Sequence, residues 1–141
     1  MTLEDAIVLA VQAHRGQKDK AGQDYILHPL RLMVKMDAEV AMMAAVLHDV
    51  VEDPSFTFDD LRNEGCPDEV IGVLDRLTQR TGEEYADYIA RVRTDPTARK
   101  IKFADLEDNL NVLRLSHVTP RDVERLNKYL EAWRALQDEP V

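Results

Sequence analysis

Apolar residues recur at intervals of three and four along almost the whole of this 141-residue chain, and no stretch shows the clean alternation of a strand. That period restricts the fold to helix packed on helix. Start and stop signals divide it. Thr2, with Asp5 three positions on, opens a helix whose stripe is Leu3, Ile7, Ala10 and Val11 and which ends at His14. Arg15 to Leu27 has two glycines, many charges and no period, and reads as a loop. His28-Pro29 opens a second helix, proline taking the tolerated first position, through Leu32 and Val34 to about Met36. Asp37 is the expected cap of a third, with stripe Val40, Met43, Ala44, Leu47 and Val51, stopped by Pro54. Thr57 and Asp60 box a short helix that stops at Gly65; Pro67 opens the next, through Val70, Ile71, Leu74 and Leu77. Tyr85, Ile89 and Val92 mark a helix after Gly82, and a long one follows Asp95-Pro96, with Ile101, Ala104 and Leu113 among its apolar positions. Thr119-Pro120-Arg121-Asp122 starts the last, whose stripe is Val123, Leu126, Leu130 and Trp133. The expectation is one all-α domain over residues 1–141, a bundle of about eight helices.

The chemistry concentrates in Leu47-His48-Asp49-Val50-Val51-Glu52-Asp53. Read as one helix, this stretch stacks Glu52 on His48 and Asp49, and Asp53 on Asp49. His48 and Asp49 then bracket one point, which is half of a divalent-metal site. A solvated acidic helix end is the plainer reading, although carboxylates there oppose the helix dipole. The remaining ligands must come from elsewhere. His28 sits at a loop-to-helix junction, and Asp105 lies between apolar residues of the long helix, where an unpaired charge would be costly. Lys102 and Asn109 share the Asp105 face, and a buried ion pair of Asp105 with Lys102 or an arginine is the alternative.

Composition sets outer limits. With 45% hydrophobic and 32% charged residues the chain has the make-up of a folded protein. One cysteine, Cys66, excludes an internal disulfide, and the absence of a signal peptide makes the cytoplasm the expected location. No apolar run approaches the ~20 residues of a membrane span. A net charge of -9 argues against nucleic acid or anionic membranes as partners. It also repels phosphate esters, unless a metal and local lysines or arginines reverse the field.

His28, His48-Asp49 and the distant Asp105 resemble the H…HD…D signature of the HD-domain metal-dependent phosphohydrolases. More narrowly, the chain resembles the hydrolase domain of RelA/SpoT-type alarmone enzymes and their small stand-alone relatives. The matching stretches are His14-Arg15-Gly16-Gln17, Tyr25-Ile26-Leu27-His28-Pro29, the heptapeptide above, and Lys102-Phe103-Ala104-Asp105 with Asn109. The resemblance implies an HD-type helical domain in which His28, His48, Asp49 and Asp105 hold one divalent cation, usually Mn²⁺. It further implies that Glu52 and Asp53 serve catalysis, that a small nucleotide is the substrate, and that a chain of this length is a hydrolase only. The best single expectation is removal of the 3′-pyrophosphate of (p)ppGpp. Mixed nitrogen and oxygen ligation also suits Fe²⁺ or Zn²⁺. Lys20, Lys102 and Asn109 are the expected substrate contacts, with Arg15 and Lys18 as further cations; His14 and His117 are read as non-ligands.

The chain departs from the family around the base. Asp19 stands where an arginine associated with guanine is usual, and Leu106, Glu107 and Asp108 follow Asp105 where the family has Arg or Lys, then Leu, then His or Tyr. Val112 replaces a frequent threonine. Reaction type therefore carries over further than substrate. Another 2′- or 3′-phosphorylated nucleotide such as NADPH, a mononucleotide, a dNTP, or a non-catalytic nucleotide sensor are the alternatives. Oligomeric state is not readable from the sequence.

Overall fold

A computed structural model describes residues 1–53 and 55–137. Among these lie eight α-helices: α1 (Leu3–His14), α2 (Leu27–Val34), α3 (Glu39–Leu47), α4 (Phe58–Asn63), α5 (Asp68–Arg76), α6 (Tyr85–Arg93), α7 (Pro96–Asn109) and α8 (Pro120–Leu136). Two 3-10 turns, Val50–Glu52 and Val112–Arg114, complete the order. The all-α expectation holds. The start signals do what their chemistry dictates: Thr2, Thr57 and Thr119 each accept from the backbone three residues on, and Asp5, Asp60 and Asp122 return the bond. Asp95 caps α7 ahead of Pro96. Gly65 ends the α4 segment at φ +84°, in the left-handed region open to glycine.

Helix α3 is the centre. Ala41, Met43, Ala44, Ala45, Val46 and Leu47 are all buried, so this helix is covered on most sides, by α1, α2, α5 and α7. Helix α7 packs in turn on α2, α6 and α8. Leu32, Leu47, Leu61, Leu74, Ile101 and Leu106 are the large side chains sealed between them. No helix of the described residues is long and apolar enough to cross a membrane.

Several sequence expectations are corrected. Helix α2 begins at Leu27 with Ile26 as its cap residue, so Pro29 is in the third helical position. Ala38 caps α3 without a side-chain bond, and the expected cap, Asp37, reaches Lys100 of α7 at 3.0 Å instead. The Lys100 charge is the competing partner. Val34, Val123 and Leu130 are exposed although they fall on the apolar stripes, because no neighbouring helix covers that side of α2 or α8. Leu113 lies beyond α7 in a 3-10 turn and is 91% exposed.

The largest correction concerns the heptapeptide. It is not one helix. Helix α3 stops at Leu47, and a 3-10 turn, in which Glu52 N–H donates to the Asp49 carbonyl at 3.3 Å, follows. The cause is local. In a continuing helix the Ala45 carbonyl would accept from Asp49 N–H. Here the His48 N–H and the His48 ring Nδ1 take that carbonyl, at 3.5 Å and 2.7 Å. The expected stop at Pro54 lies outside the described residues.

This packing yields a test. Leu47→Ala removes a fully buried side chain next to the site, and we expect a loss of ~2–5 kcal/mol. Val34→Ala, at a position 70% exposed, should change stability by no more than ~0.5 kcal/mol. Urea denaturation of both variants measures the contrast; equal effects would contradict the assignment of α3 as the core.

Candidate metal centre

Four elements deliver the site. Helix α2 supplies His28 in its first turn, the end of α3 supplies His48 and Asp49, the 3-10 turn supplies Glu52, and α7 supplies Lys102, Asp105, Asp108 and Asn109. Positions 102, 105 and 109 share one face of α7, so one turn in either direction from Asp105 brings the next group into range.

Each imidazole is oriented by its far nitrogen. His48 Nδ1 donates to the Ala45 carbonyl, an acceptor only, which leaves Nε2 as the nitrogen turned toward the site. That Nε2 is buried and has no hydrogen-bond partner among the described residues. His28 Nδ1 lies 2.6 Å from Asp108 Oδ2, which turns His28 Nε2 toward the same point. Asp108 is held ionised. Burial opposes its charge, but His28, then Arg31 at 2.8 and 2.9 Å, and Arg114 at 3.1 Å, keep its pKa far below the usual carboxylate range.

The inward-facing atoms converge. His48 Nε2 is 3.1 Å from Asp49 Oδ1 and 3.5 Å from Asp105 Oδ1; His28 Nε2 is 2.9 Å from Asp105 Oδ1 and 3.8 Å from Asp49 Oδ2. Ligands ~2.1 Å from one cation stand about 3 Å apart when adjacent and about 4 Å apart when opposite. The measured separations fall in that range. Atoms of His28, His48 and Asp49 all lie within 4.8 Å of one another, as a shared ion requires. The orphaned His48 nitrogen and the two-nitrogen, two-carboxylate donor set fit a borderline divalent cation.

Charge in the cluster is strongly coupled. Burial alone would lower the His48 pKa, yet Asp49 and Asp105 raise it well above the ordinary value. Burial would raise the Asp49 pKa, and His48 brings it down to about 2. The cluster attracts positive charge. Lys102 Nζ meets Asp105 Oδ2 at 2.9 Å, and Asn109 donates to Asp105 Oδ1 at 3.3 Å. The buried ion pair therefore coexists with the convergence on His28 and His48. Tyr25 donates its hydroxyl to Asp49 Oδ2 and fixes that carboxylate from the loop side.

A cavity of about 300 Å³ opens above these atoms, walled by Glu52, Gln79, Tyr85, Tyr88, Lys128 and Tyr129. Glu52 stands at its mouth, where loss of water around the carboxyl, then the Asp49 charge, raises its pKa. Asp53 is not in this wall. Its Oδ1 accepts from the Ser55 backbone at 2.9 Å and hydroxyl at 2.7 Å, and it borders an adjacent cavity with His14, Gln17, Tyr25 and Glu52. His14 is buried, bonded through Nδ1 to Gln17 at 3.0 Å, with its ring tilted against that of Tyr25. His117 is exposed beside Ser116, outside the site.

The first loop carries its own structure. Asp19 Oδ1 accepts from Ala21 N and Gln23 N, both at 2.9 Å, so this carboxylate closes the turn rather than facing outward. Lys18 pairs with Asp24, and Arg15 is exposed. Lys20 borders a third, smaller cavity with Asn111, Arg114 and Arg125, joined to the main one through Asn109 and Tyr129. Of the three expected substrate contacts, Lys102 and Asn109 lie in the main cavity and Lys20 in this annex. Sequence reasoning missed the roles of Tyr25, Asp108, Arg31 and Arg114. The available signal was spacing: Asp108 is one turn from Asp105 and Arg31 one turn from His28.

No family model matches the chain. Over 126 residues, 79% of the chain, it is 32% identical to the GTP pyrophosphokinase of Streptomyces coelicolor, of which the match covers 15%. Over 121 residues, 75% of the chain, it is 35% identical to the guanosine-3′,5′-bis(diphosphate) 3′-pyrophosphohydrolase of Haemophilus influenzae, of which the match covers 18%. The chain thus spans less than a fifth of the length of these curated relatives. A solved structure of a metazoan ortholog of SpoT that hydrolyzes ppGpp superposes with a TM-score of 0.74, covering 96% of this chain and 85% of that one at 24% identity. That likeness shows a shared fold. Over about three quarters of its length the chain is thus similar to a short segment of these enzymes, and it shares the helical fold of the solved structure.

Proposed function

We propose that the chain is a divalent-cation-dependent phosphohydrolase of the cytoplasm that removes the 3′-pyrophosphate of guanosine-3′,5′-bis(diphosphate). The observation that carries this reading is the convergence of His28, His48, Asp49 and Asp105, with both imidazoles oriented from behind, at the floor of a cavity large enough for part of a nucleotide. The name of the Haemophilus relative supports the substrate. Mn²⁺ is the first choice of ion, with Fe²⁺ and Zn²⁺ as alternatives.

A cation held by these four residues would supply Lewis acidity toward a phosphoryl oxygen and lower the pKa of a bound water. The protein's own contribution is charge and proton handling. The carboxylates of Asp49, Glu52 and Asp105 outnumber the ammoniums of Lys102 and Lys128 in the cavity wall, and a divalent cation held by His28, His48, Asp49 and Asp105 would offset that negative charge toward a polyphosphate. Glu52, whose carboxyl holds its proton more readily than an ordinary glutamate, takes a proton from the attacking water and returns one to the departing ribose oxygen. Lys102 keeps Asp105 ionised and adds positive charge at the floor. Asp53, turned toward Ser55, serves by holding the end of the 3-10 turn that presents Glu52.

One observation favours a second substrate. With Asp19 folded into its own loop, no flat cation from that position covers a purine. Hydrolysis of another 2′- or 3′-phosphorylated nucleotide, NADPH among them, is therefore the second reading. A Mn²⁺-supplemented screen over ppGpp, NADPH, mononucleotides and dNTPs, scored for pyrophosphate against phosphate, separates the two. Pyrophosphate released from ppGpp at the highest kcat/KM supports the first reading; failure of every phosphorylated nucleotide would leave a nucleotide sensor.

Two variants test the roles. Glu52→Gln should keep fold and cation content while kcat falls by ~10²-fold or more; loss of bound cation would make Glu52 a ligand instead. Asp108→Ala, which frees the far nitrogen of His28, should weaken Mn²⁺ binding by ~10–100-fold. Metal titration followed by calorimetry checks it, and unaltered affinity would remove Asp108 from the site.

A further inference from the structure

The cavity wall built from α6 and α8 enters the chemistry above only through the charge of Lys128. Two of its residues are unusual in place and in bonding. Tyr85 and Lys128 line both the metal cavity and a groove of about 420 Å³ between α6 and α8, so they form the ridge between the two. Lys128 Nζ lies 4.0 Å from the centre of the Tyr85 ring. Lys102, the other ammonium of the cavity, is committed to Asp105, whereas Lys128 makes no ion pair among the described residues. The Tyr85 hydroxyl is buried and finds no hydrogen-bond partner among the described residues. Tyr85 borders the metal cavity together with Lys102, Tyr129 and Asp105.

A buried hydroxyl without a partner is unfavourable, and a structure that keeps one commonly reserves it for something that binds. An ammonium resting on an aromatic face is held weakly compared with one bonded to an anion. Together they set a cation held only by a ring beside a buried donor that has no partner.

We propose that Lys128 and Tyr85 form a subsite for the distal phosphate of a pyrophosphoryl group whose proximal phosphate lies at His28, His48, Asp49 and Asp105, an assignment that rests on the phosphohydrolase reading. In the reaction, water adds to the proximal phosphorus and the bond from that phosphorus to the ribose 3′-oxygen breaks. The bonding pair goes to the ribose oxygen, which takes up one proton of the water, and the other oxygen-bound proton leaves with the product. The bridge between the two phosphates stays intact, so Lys128 and Tyr85 hold the same distal group in substrate, transition state and pyrophosphate product. Such a uniform contact acts on KM and on product affinity rather than on kcat. It also discriminates a 3′-pyrophosphate from a single 3′-phosphate, which has no distal group to place there.

The test compares Lys128→Gln, Lys128→Arg and Tyr85→Phe with wild type, with excess Mn²⁺ throughout. The exposed position of Lys128 makes its variants tolerable to the fold, and circular dichroism verifies it. For Lys128→Gln, KM for ppGpp and the inhibition constant of inorganic pyrophosphate should both rise by ~10-fold or more, the scale of a charged hydrogen bond. The inhibition constant of orthophosphate should stay within about twofold, since a single phosphate does not reach the subsite. Lys128→Arg should recover part of the loss, and Tyr85→Phe, which keeps the ring, should show a smaller rise in the same two constants. Equal weakening of pyrophosphate and orthophosphate would reduce Lys128 to a long-range charge and overturn the subsite. So would hydrolysis of ppGpp by wild type with pyrophosphate inhibition untouched in Lys128→Gln. If wild type leaves ppGpp intact yet binds pyrophosphate in a Lys128-dependent way, measured by calorimetry, the substrate reading falls and the subsite stands.

Discussion

Everything about the site depends on the way His28 is held. Its two ring nitrogens face two carboxylates one turn apart on α7, at 2.6 and 2.9 Å, so a single imidazole ties α2 to α7 and sets the direction of its own lone pair. The carboxylates are in turn balanced: Asp108 by Arg31 and Arg114, Asp105 by Lys102. Buried charges of this kind persist only when each has its partner, and withdrawal of one leaves the others uncompensated. The arrangement is therefore less a source of stability than a device for making one geometry the only acceptable one.

The end of α3 follows the same logic at smaller scale. By taking the Ala45 carbonyl with its ring, His48 stops the helix that carries it and fixes its own tautomer in one move. The stop places Asp49 on a turn where Tyr25 can reach it, and lifts Glu52 to the mouth of the cavity instead of leaving it stacked along a helix. Acidic residues that would have opposed the dipole of a longer helix stand instead where positive charge is gathered.

Much of the fold was legible because its signals are local. The three Thr–Asp boxes, Asp95 before Pro96 and Gly65 act within four residues of themselves, and each marks a boundary where expected. The break at His48 came from a side chain competing for a carbonyl three residues back, which a helical period does not register, and the other errors arose where a distant group decided. Lys100 drew Asp37 away from its cap position, and the exposure of Val34 and Leu130 depends on where neighbouring helices happen not to lie. Leu106, a departure from the family pattern, is fully buried and serves the core. In the site, residue types and motif order pointed to His28, His48, Asp49 and Asp105. Spacing put Asp108 one turn from Asp105, but its meeting with His28, 80 positions away, comes only from the packing of α2 on α7.

That separation has a kinetic meaning. Contacts spanning 77 and 80 residues close the largest loops in the site, and loops of that size are closed late, once the intervening helices have already condensed. The half-site of His48 and Asp49 can exist in a partly folded chain; the complete cluster cannot. A partially unfolded molecule in which α7 has come away from α2 would keep most of its helices and its circular dichroism while having no cluster at all. Ion capture by this chain therefore reports on the finished assembly, and a cation that binds all four residues acts as a lock on the last step of folding, adding to stability in proportion to the logarithm of its concentration.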